Sequence, residues 1–164
     1  MQFKPVPPAP DSLESLETVR RAVPRDPEDA DDCCARLVDR TEIESRGAAA
    51  AWLTFLRALE LATVSTSGFA RIRRDFDLES LRRAFRDRVY RADELLARLE
   101  AADDPLTTKA TVTHLSETSS HNARHERSSR LEKRREARIE RLLEWAVLPG
   151  LAERTENGYR RKQD

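Results

Sequence analysis

Three groups of residues in this sequence of 164 residues could take part in catalysis or ligand binding. They are the two cysteines, two of the three histidines and the many arginines. Cys33 and Cys34 are adjacent, and because neighbouring cysteines close only a strained ring, we expect two reduced thiols. His121 and His125 could share one helical face, but no Cys or carboxylate at a suitable spacing completes a metal site. The four glycines are dispersed, which excludes a glycine-rich phosphate loop, and no nucleophile has a base at a recognisable spacing. The sequence therefore predicts a protein that is not an enzyme and that uses neither a metal nor a cofactor.

Arginine is the main remaining signal, since it supplies 26 of the 30 basic residues. The 30 acidic residues cancel this charge overall, although residues 105–164 carry 13 basic residues against nine acidic ones. One dense run begins at Arg71, Arg73 and Arg74 and continues, interleaved with acidic residues, to Arg91. Such interleaving favours a solvated helix face with i,i+4 ion pairs, and a phosphate-contacting surface is the alternative. The same two interpretations hold for residues 130–141.

Apolar periodicity predicts the elements that must position these side chains, beginning with helices over 11–23, 26–40 and 45–60. Asp11, Asp26 and Ser45 are the expected N-caps, with Pro27 in the first turn of the second helix. In the third helix the expected apolar stripe leaves Ala49 and Leu53 off the core. Eight residues should be buried together: Trp52, Phe55, Leu56, Leu59, Leu37, Cys33, Phe69 and Phe85.

A repeat lies behind the third helix. "LATVSTSGFAR" at residues 61–71 returns as "LAERTENGYRR" at residues 151–161, with Leu, Ala, Gly, an aromatic residue and Arg at the same offsets. Gly68 and the Asn157-Gly158 pair are typical of tight turns between two short strands. We therefore predict two β-hairpins.

The longest helix signal covers residues 77–102, with Asp77 as its N-cap. At 1.5 Å per residue such a helix would reach about 36 Å, more than a small three-helix core needs, which suggests a homodimer. Residues 107–128 are rich in Ser and Thr and predict a flexible linker. A charged helix from about residue 129, ended by Pro149-Gly150, should precede the second hairpin and form with it a C-terminal helix–hairpin over 129–164.

Three helices followed by a hairpin is the order of a winged helix-turn-helix module. We predict a mainly α protein with that core over 11–73, inside a domain that spans 11–106, after a Pro-rich arm at 1–10. The C-terminal helix–hairpin would supply half a module, or a mate that completes the core of the first. In such modules the third helix docks in a groove and the hairpin flanks it as the wing. The residues expected to contact nucleic acid are Arg46, Thr54 and Arg57 on the helix, and Arg71, Arg73 and Arg74 on the wing.

The stretches "DDCCARLVDRT", "SRGAAAAWLTFLRALELA" and "SGFARIRRDFDLESLRRAFRDRVYRADELLARLEAA" resemble small, uncharacterised winged-helix proteins of haloarchaea. The resemblance covers residues 26–106 and resumes at 138–161. It implies a winged-helix fold and nucleic-acid binding, without an established activity.

Two functions of different classes are consistent with these patterns. The first is a cytoplasmic regulator that binds double-stranded DNA, since no apolar run is long enough for a signal peptide or a membrane span. The alternative is a winged-helix module that binds a protein partner through its Ala-rich third helix and does not touch nucleic acid. The weak set of base-reading side chains on that helix favours the alternative, whereas the fold favours DNA.

Overall fold

A computed structural model describes residues 3, 5–72, 77–118 and 128–162. The chain divides into two compact units, unit 1 (Met1–Tyr90) and unit 2 (Arg91–Asp164). Unit 1 contains α1 (Leu13–Ala22), α2 (Ala30–Arg40), α3 (Arg46–Ala58), β1 (Ala62–Ser65), β2 (Gly68–Arg71) and α4 (Leu78–Arg88). Unit 2 contains α5 (Ala92–Ala101), α6 (Thr108–Thr118), α7 (Ser128–Val147), β3 (Ala152–Thr155) and β4 (Gly158–Arg161). The predicted mainly helical fold with two hairpins is confirmed.

The helices of unit 1 begin at side-chain caps that satisfy the free amides of the first turn. Ser45 caps α3 and Asp77 caps α4, as predicted. The predictions for the first two helices were wrong: Ser12 rather than Asp11 caps α1, and Asp29 rather than Asp26 caps α2. Ser12 and Asp29 both have extended backbone, so each helix begins later than expected. The side-chain oxygen of each accepts from the amide three residues ahead, Ser15 and Asp32.

An isolated backbone bridge between Glu28 and Phe69 joins the loop before α2 to the two-stranded first hairpin. The Glu28 amide donates to the Phe69 carbonyl at 3.1 Å, and the Phe69 amide donates to the Glu28 carbonyl at 2.8 Å. Gly68 permits this approach because a Cβ at that position would overlap the Glu28 carbonyl. The bridge ties the loop before α2 to the hairpin, as a winged-helix wing requires.

The single helix predicted over 77–102 is wrong. Helix α4 ends at Arg88, Val89 is extended, and Arg91 has a φ of 68°, so helical hydrogen bonding stops before α5 begins. The apolar spacing was correct on both sides of the break, because Leu81, Phe85, Leu95 and other stripe residues are buried. The homodimer was predicted from the length of a single long helix. That basis is lost, because each of the two shorter helices spans only about three turns.

The N-terminal residue Phe3 packs where α4 ends. Its amide donates to the Arg88 carbonyl at 2.7 Å, and its carbonyl accepts from the Tyr90 amide at 2.9 Å. The ring is 9% exposed. Residues 5–10 form neither helix nor strand, yet Val6 is also buried.

Unit 2 is a complete second module, which corrects both alternatives predicted for the C-terminal helix–hairpin, half a module or a mate of the first core. Its three helices and hairpin follow the same order as α1, α2, α3 and the first hairpin. The bridge recurs as well, between Leu106 and Tyr159, with both backbone hydrogen bonds at 2.8 Å. The predicted linker over 107–128 is wrong for its first half, which forms α6, while residues 119–127 lie outside the described residues.

The 90-residue offset of the two hairpins also relates α3 to α7. Buried positions match in pairs across that offset: Ala49 and Ile139, Trp52 and Leu142, Leu53 and Leu143, Phe55 and Trp145, Leu56 and Ala146. The two units therefore bury the same helical face. Burial of Ala49 and Leu53 corrects the stripe predicted for α3, which left both residues off the core.

Seven of the eight predicted core residues are buried, and Phe69 is the exception at intermediate exposure. Cys33 and Cys34 both point inward as free thiols. Burial, followed by the negative charge of Glu28, raises the pKa of the Cys33 thiol to about 11. The Cys33 Sγ donates weakly to the Glu28 carbonyl at 3.4 Å, beneath the bridge. These contacts assign a packing role to the thiol.

Candidate nucleic-acid interface

The N-terminal turn of α3 is the exposed part of the helix that would read a groove. Ser45 caps it by accepting from the Ala48 amide at 3.1 Å, and Ser45, Arg46, Gly47 and Ala48 are all exposed. The positive end of the helix dipole adds to the Arg46 charge. This turn can therefore bind an anion, but it presents a single cation and small side chains.

The other predicted residues of α3 lie further from this turn. Thr54 has intermediate exposure. The Arg57 guanidinium lies 5.4 Å from the centre of the Phe3 ring, and the Arg88 guanidinium lies 5.2 Å from the same ring. Cation–π contact with the buried Phe3 ring stabilises this arrangement. Without a bound ligand, Arg57 therefore helps to hold Phe3 in place.

Arg71 lies at the open end of the first hairpin, paired with Ala62, and not at the turn. Its amide donates to the Pro24 carbonyl at 2.8 Å and its Nη1 to the Arg21 carbonyl at 3.4 Å. The structure thus places Arg71 beside the end of α1. Arg73 and Arg74 lie outside the described residues.

Neither hairpin turn carries a basic residue. Residues 65–68 read Ser-Thr-Ser-Gly and residues 155–158 read Thr-Glu-Asn-Gly. In the second hairpin the nearby Arg154 forms an ion pair with Glu144 and lies 5.6 Å from the centre of the Tyr159 ring. The first tip therefore offers hydroxyl groups to a partner, and the second offers hydroxyl, amide and carboxylate groups, instead of positive charge.

Positive charge is concentrated instead at the start of α7, the third helix of unit 2. Applying the 90-residue offset, α3 starts at the position of Glu136, so α7 has eight additional residues at its N-terminal end, 128–135. This extension carries Arg130, Lys133, Arg134 and Arg135, all exposed, against one acidic residue. At 1.5 Å per residue it adds about 12 Å of helix.

The sequence predicted two alternatives for residues 130–141, a solvated helix face or a phosphate-contacting surface, without identifying 128–135 as an extension of the helix. The four cations of the extension are exposed, which is compatible with both alternatives. Carrying the offset of the hairpin repeat backwards through both helices would have shown that residues 128–135 have no counterpart in α3.

No group of three or more potential metal-ligating side chains occurs within the described ranges. His121 and His125 fall in 119–127, outside those ranges. None of the helices the structure describes is both long and apolar enough to cross a membrane.

The duplicated arrangement of three helices and a bridged hairpin agrees with comparison of the sequence with known families. A family model described as the Halobacterial double winged helix domain matches residues 1–164. No curated protein and no solved structure matches the chain. Since the family model covers every residue and the structure contains both modules, the chain belongs to the halobacterial double winged helix domain family.

Proposed function

We propose that this protein binds double-stranded DNA and that the extension of α7 supplies most of the phosphate contacts. In this proposal the side chains of α3 discriminate only weakly between base sequences. The observation that carries the proposal is the eight-residue extension, 128–135, with four exposed cations on the third helix of a winged-helix unit. Third helices of this fold dock in the major groove, and basic side chains near their start contact phosphates. We further propose that the protein regulates transcription in the cytoplasm.

Unit 1 contributes in this proposal through Arg46 and the N-terminal turn of α3. Arg57 contacts Phe3 and Arg71 contacts the end of α1, so the proposal gives them a minor part in DNA binding. It gives Thr54 a minor part as well. One chain carries two third helices, which is the number that a dimer of single modules provides. The proposal therefore does not depend on a homodimer.

The test is a titration of random-sequence duplex DNA across a salt series. The wild type is compared with a variant in which Arg130, Lys133, Arg134 and Arg135 are all changed to Ala. Each phosphate contact contributes about −0.9 to the slope of log affinity against log salt, so the variant should flatten the slope by up to about 3.6 units.

Two controls separate the contributions of charge and position. A variant that loses Arg71, Arg73 and Arg74 measures the wing. A variant that loses the four exposed or half-exposed cations Arg40, Arg98, Lys109 and Lys162 measures loss of net charge alone. Equal slopes for the α7 variant and the charge control would refute the assignment to α7.

A protein-interaction module is the alternative function. The exposed Ala48 and Ala50 and the half-exposed Ala51 give α3 a smooth surface that a partner helix could approach closely. Absence of DNA binding at low salt would favour this function over DNA binding.

A further inference from the structure

Five arginines of unit 1 gather where α1 ends, at a distance in sequence from both third-helix N-termini: Arg20, Arg21, Arg25, Arg36 and Arg71. Three of them are fixed by hydrogen bonds to main-chain carbonyls. Arg71 Nη1 donates to the Arg21 carbonyl at 3.4 Å, Arg36 Nε donates to the Ala22 carbonyl at 3.1 Å, and Arg20 Nη1 donates to the Ile72 carbonyl at 3.1 Å. The Arg36 and Arg71 bonds hold guanidinium groups from α2 and β2 against residues 21 and 22, and the Arg20 bond ties α1 to the residue after β2.

The group has more positive than negative charges. Glu17 pairs with Arg20 at 2.5 Å and with Arg21 at 3.3 Å, which offsets one of the five positive charges. Three more carboxylates, Asp26, Glu28 and Asp29, follow in the next loop, and that of Asp29 accepts the Asp32 amide as the α2 cap. Desolvation, and then the charges of Arg20, Arg25, Arg21 and Arg36, lower the pKa of Arg71, so these cations interact with one another.

The winged-helix fold does not require three of these arginines. Counted from the bridging residue, Glu28 or Leu106, the positions of Arg21, Arg25 and Arg36 hold Leu99, Asp103 and His114 in unit 2. The other two positions hold arginine in both units, Arg20 with Arg98 and Arg71 with Arg161. Both units form the same bridge and hairpin. Unit 1 therefore carries arginine at three positions where unit 2 folds without it.

Guanidinium groups match phosphate oxygens in geometry, because each carries five N–H donors in a planar fork. The main-chain bond of Arg71 or Arg36 occupies one of those five. Arg21 and Arg25 are exposed, with 71% of the Arg21 side chain accessible, so a ligand can reach them. A dianion held here would accept charge-assisted hydrogen bonds and relieve the repulsion among the cations.

We propose that this cluster is a binding site for a phosphate-type oxyanion. The site is separate from the α7 extension, and its existence does not depend on the proposed DNA binding. The phosphate group could belong to a small phosphorylated molecule or to the backbone of a nucleic acid, since both present the same oxygens.

Titration of the full chain with inorganic phosphate, at constant ionic strength set with chloride, tests the site by calorimetry and by thermal unfolding. We expect saturable binding and a rise in the melting temperature. Arg21→Ala with Arg25→Ala should weaken phosphate binding at least about tenfold, because both side chains supply charge-assisted hydrogen bonds. Both are exposed, so this variant should keep its fold.

Two further variants make the result specific. Arg98→Ala with Lys109→Ala removes the same charge from residues of unit 2, outside the cluster, and should bind phosphate like the wild type. Arg21→Lys with Arg25→Lys keeps the charge but removes the forks, and should bind more weakly than the wild type. Equal phosphate affinity for the cluster variant and the charge control, or no saturable binding by the wild type, would overturn the proposal.

Duplex DNA serves as the second ligand and identifies the source of the phosphate. If the Arg21→Ala, Arg25→Ala variant loses affinity for both ligands, the site holds nucleic-acid phosphates. If it loses inorganic phosphate alone, the ligand is a small phosphorylated molecule. Failure of the α7 variant to change DNA binding would refute the proposed function and leave the phosphate result unaffected.

Discussion

Adding one methyl group at the turn glycine of either wing should break the backbone bridge that ties the wing to the rest of its unit. Gly68 has a φ of 122°, and a Cβ there would overlap the Glu28 carbonyl and lie 3.1 Å from the Asp29 amide nitrogen. The obstructing atoms are main chain and cannot rotate away. Gly68→Ala must therefore move β2 away from the bridge that joins Glu28 to Phe69.

The magnitude follows from the contacts that would be lost. Two backbone hydrogen bonds, at 3.1 and 2.8 Å, form the bridge, and each contributes about 1 kcal/mol to stability. Holding a residue with a side chain at such a φ costs about 1–3 kcal/mol. We expect Gly68→Ala to lower the free energy of unfolding of unit 1 by about 3–5 kcal/mol. Gly158→Ala should act similarly on unit 2, because its Cβ would lie 2.8 Å from the Thr107 amide nitrogen and would overlap the Leu106 carbonyl.

Urea unfolding monitored by tryptophan fluorescence can follow each unit separately. The chain has two tryptophans, Trp52 in unit 1 and Trp145 in unit 2, and both are buried. Unit 1 is followed in a Trp145→Phe background and unit 2 in a Trp52→Phe background.

Gly47→Ala is the matched control. No atom lies within 4 Å of a Cβ built on Gly47, which is in the first turn of α3, so this change should raise stability by up to about 1 kcal/mol. If Gly68→Ala costs less than about 1 kcal/mol, or shifts the midpoint as Gly47→Ala does, the close approach of β2 to Glu28 is refuted.

Three further predictions concern the core, the thiols and a helix cap. Trp52→Ala should cost ~3–5 kcal/mol in urea unfolding, because it removes a large side chain that is 6% exposed; a near-neutral effect would place Trp52 outside the packed core. With its pKa raised to about 11, the Cys33 thiol stays protonated at pH 8 and should react with a thiol reagent only after unfolding, so rapid labelling of the native protein at Cys33 would contradict its packing role. Asp29→Ala should lower stability by about 1 kcal/mol through loss of the α2 cap; thermal unfolding should show a smaller loss for Asp26→Ala, and the reverse order would restore the cap predicted from the sequence.

The elements of this protein that depend on local chemistry could be predicted from its sequence. Ser45 and Asp77 cap their helices because a short oxygen-bearing side chain satisfies first-turn amides wherever the chain emerges extended. The two hairpins follow from Gly68 and Gly158, since positive φ at a tight turn is a property of glycine itself. Spacing of apolar residues likewise identified the buried faces of α4 and α5, although it joined them into one helix.

Features that depend on contacts between distant residues were decided by the tertiary structure. The break between α4 and α5 at Arg91 has no Pro or Gly to mark it. Helix α6 forms in a Ser/Thr-rich stretch, directly after Leu106, which pairs with Tyr159 more than 50 positions later. Local propensity is weak enough for packing to override it in both places. The functional surface was decided in the same way. Arg71 sits beside Arg21 and Arg36 because the bridge draws β2 onto the loop before α2, and no spacing along the chain encodes that proximity.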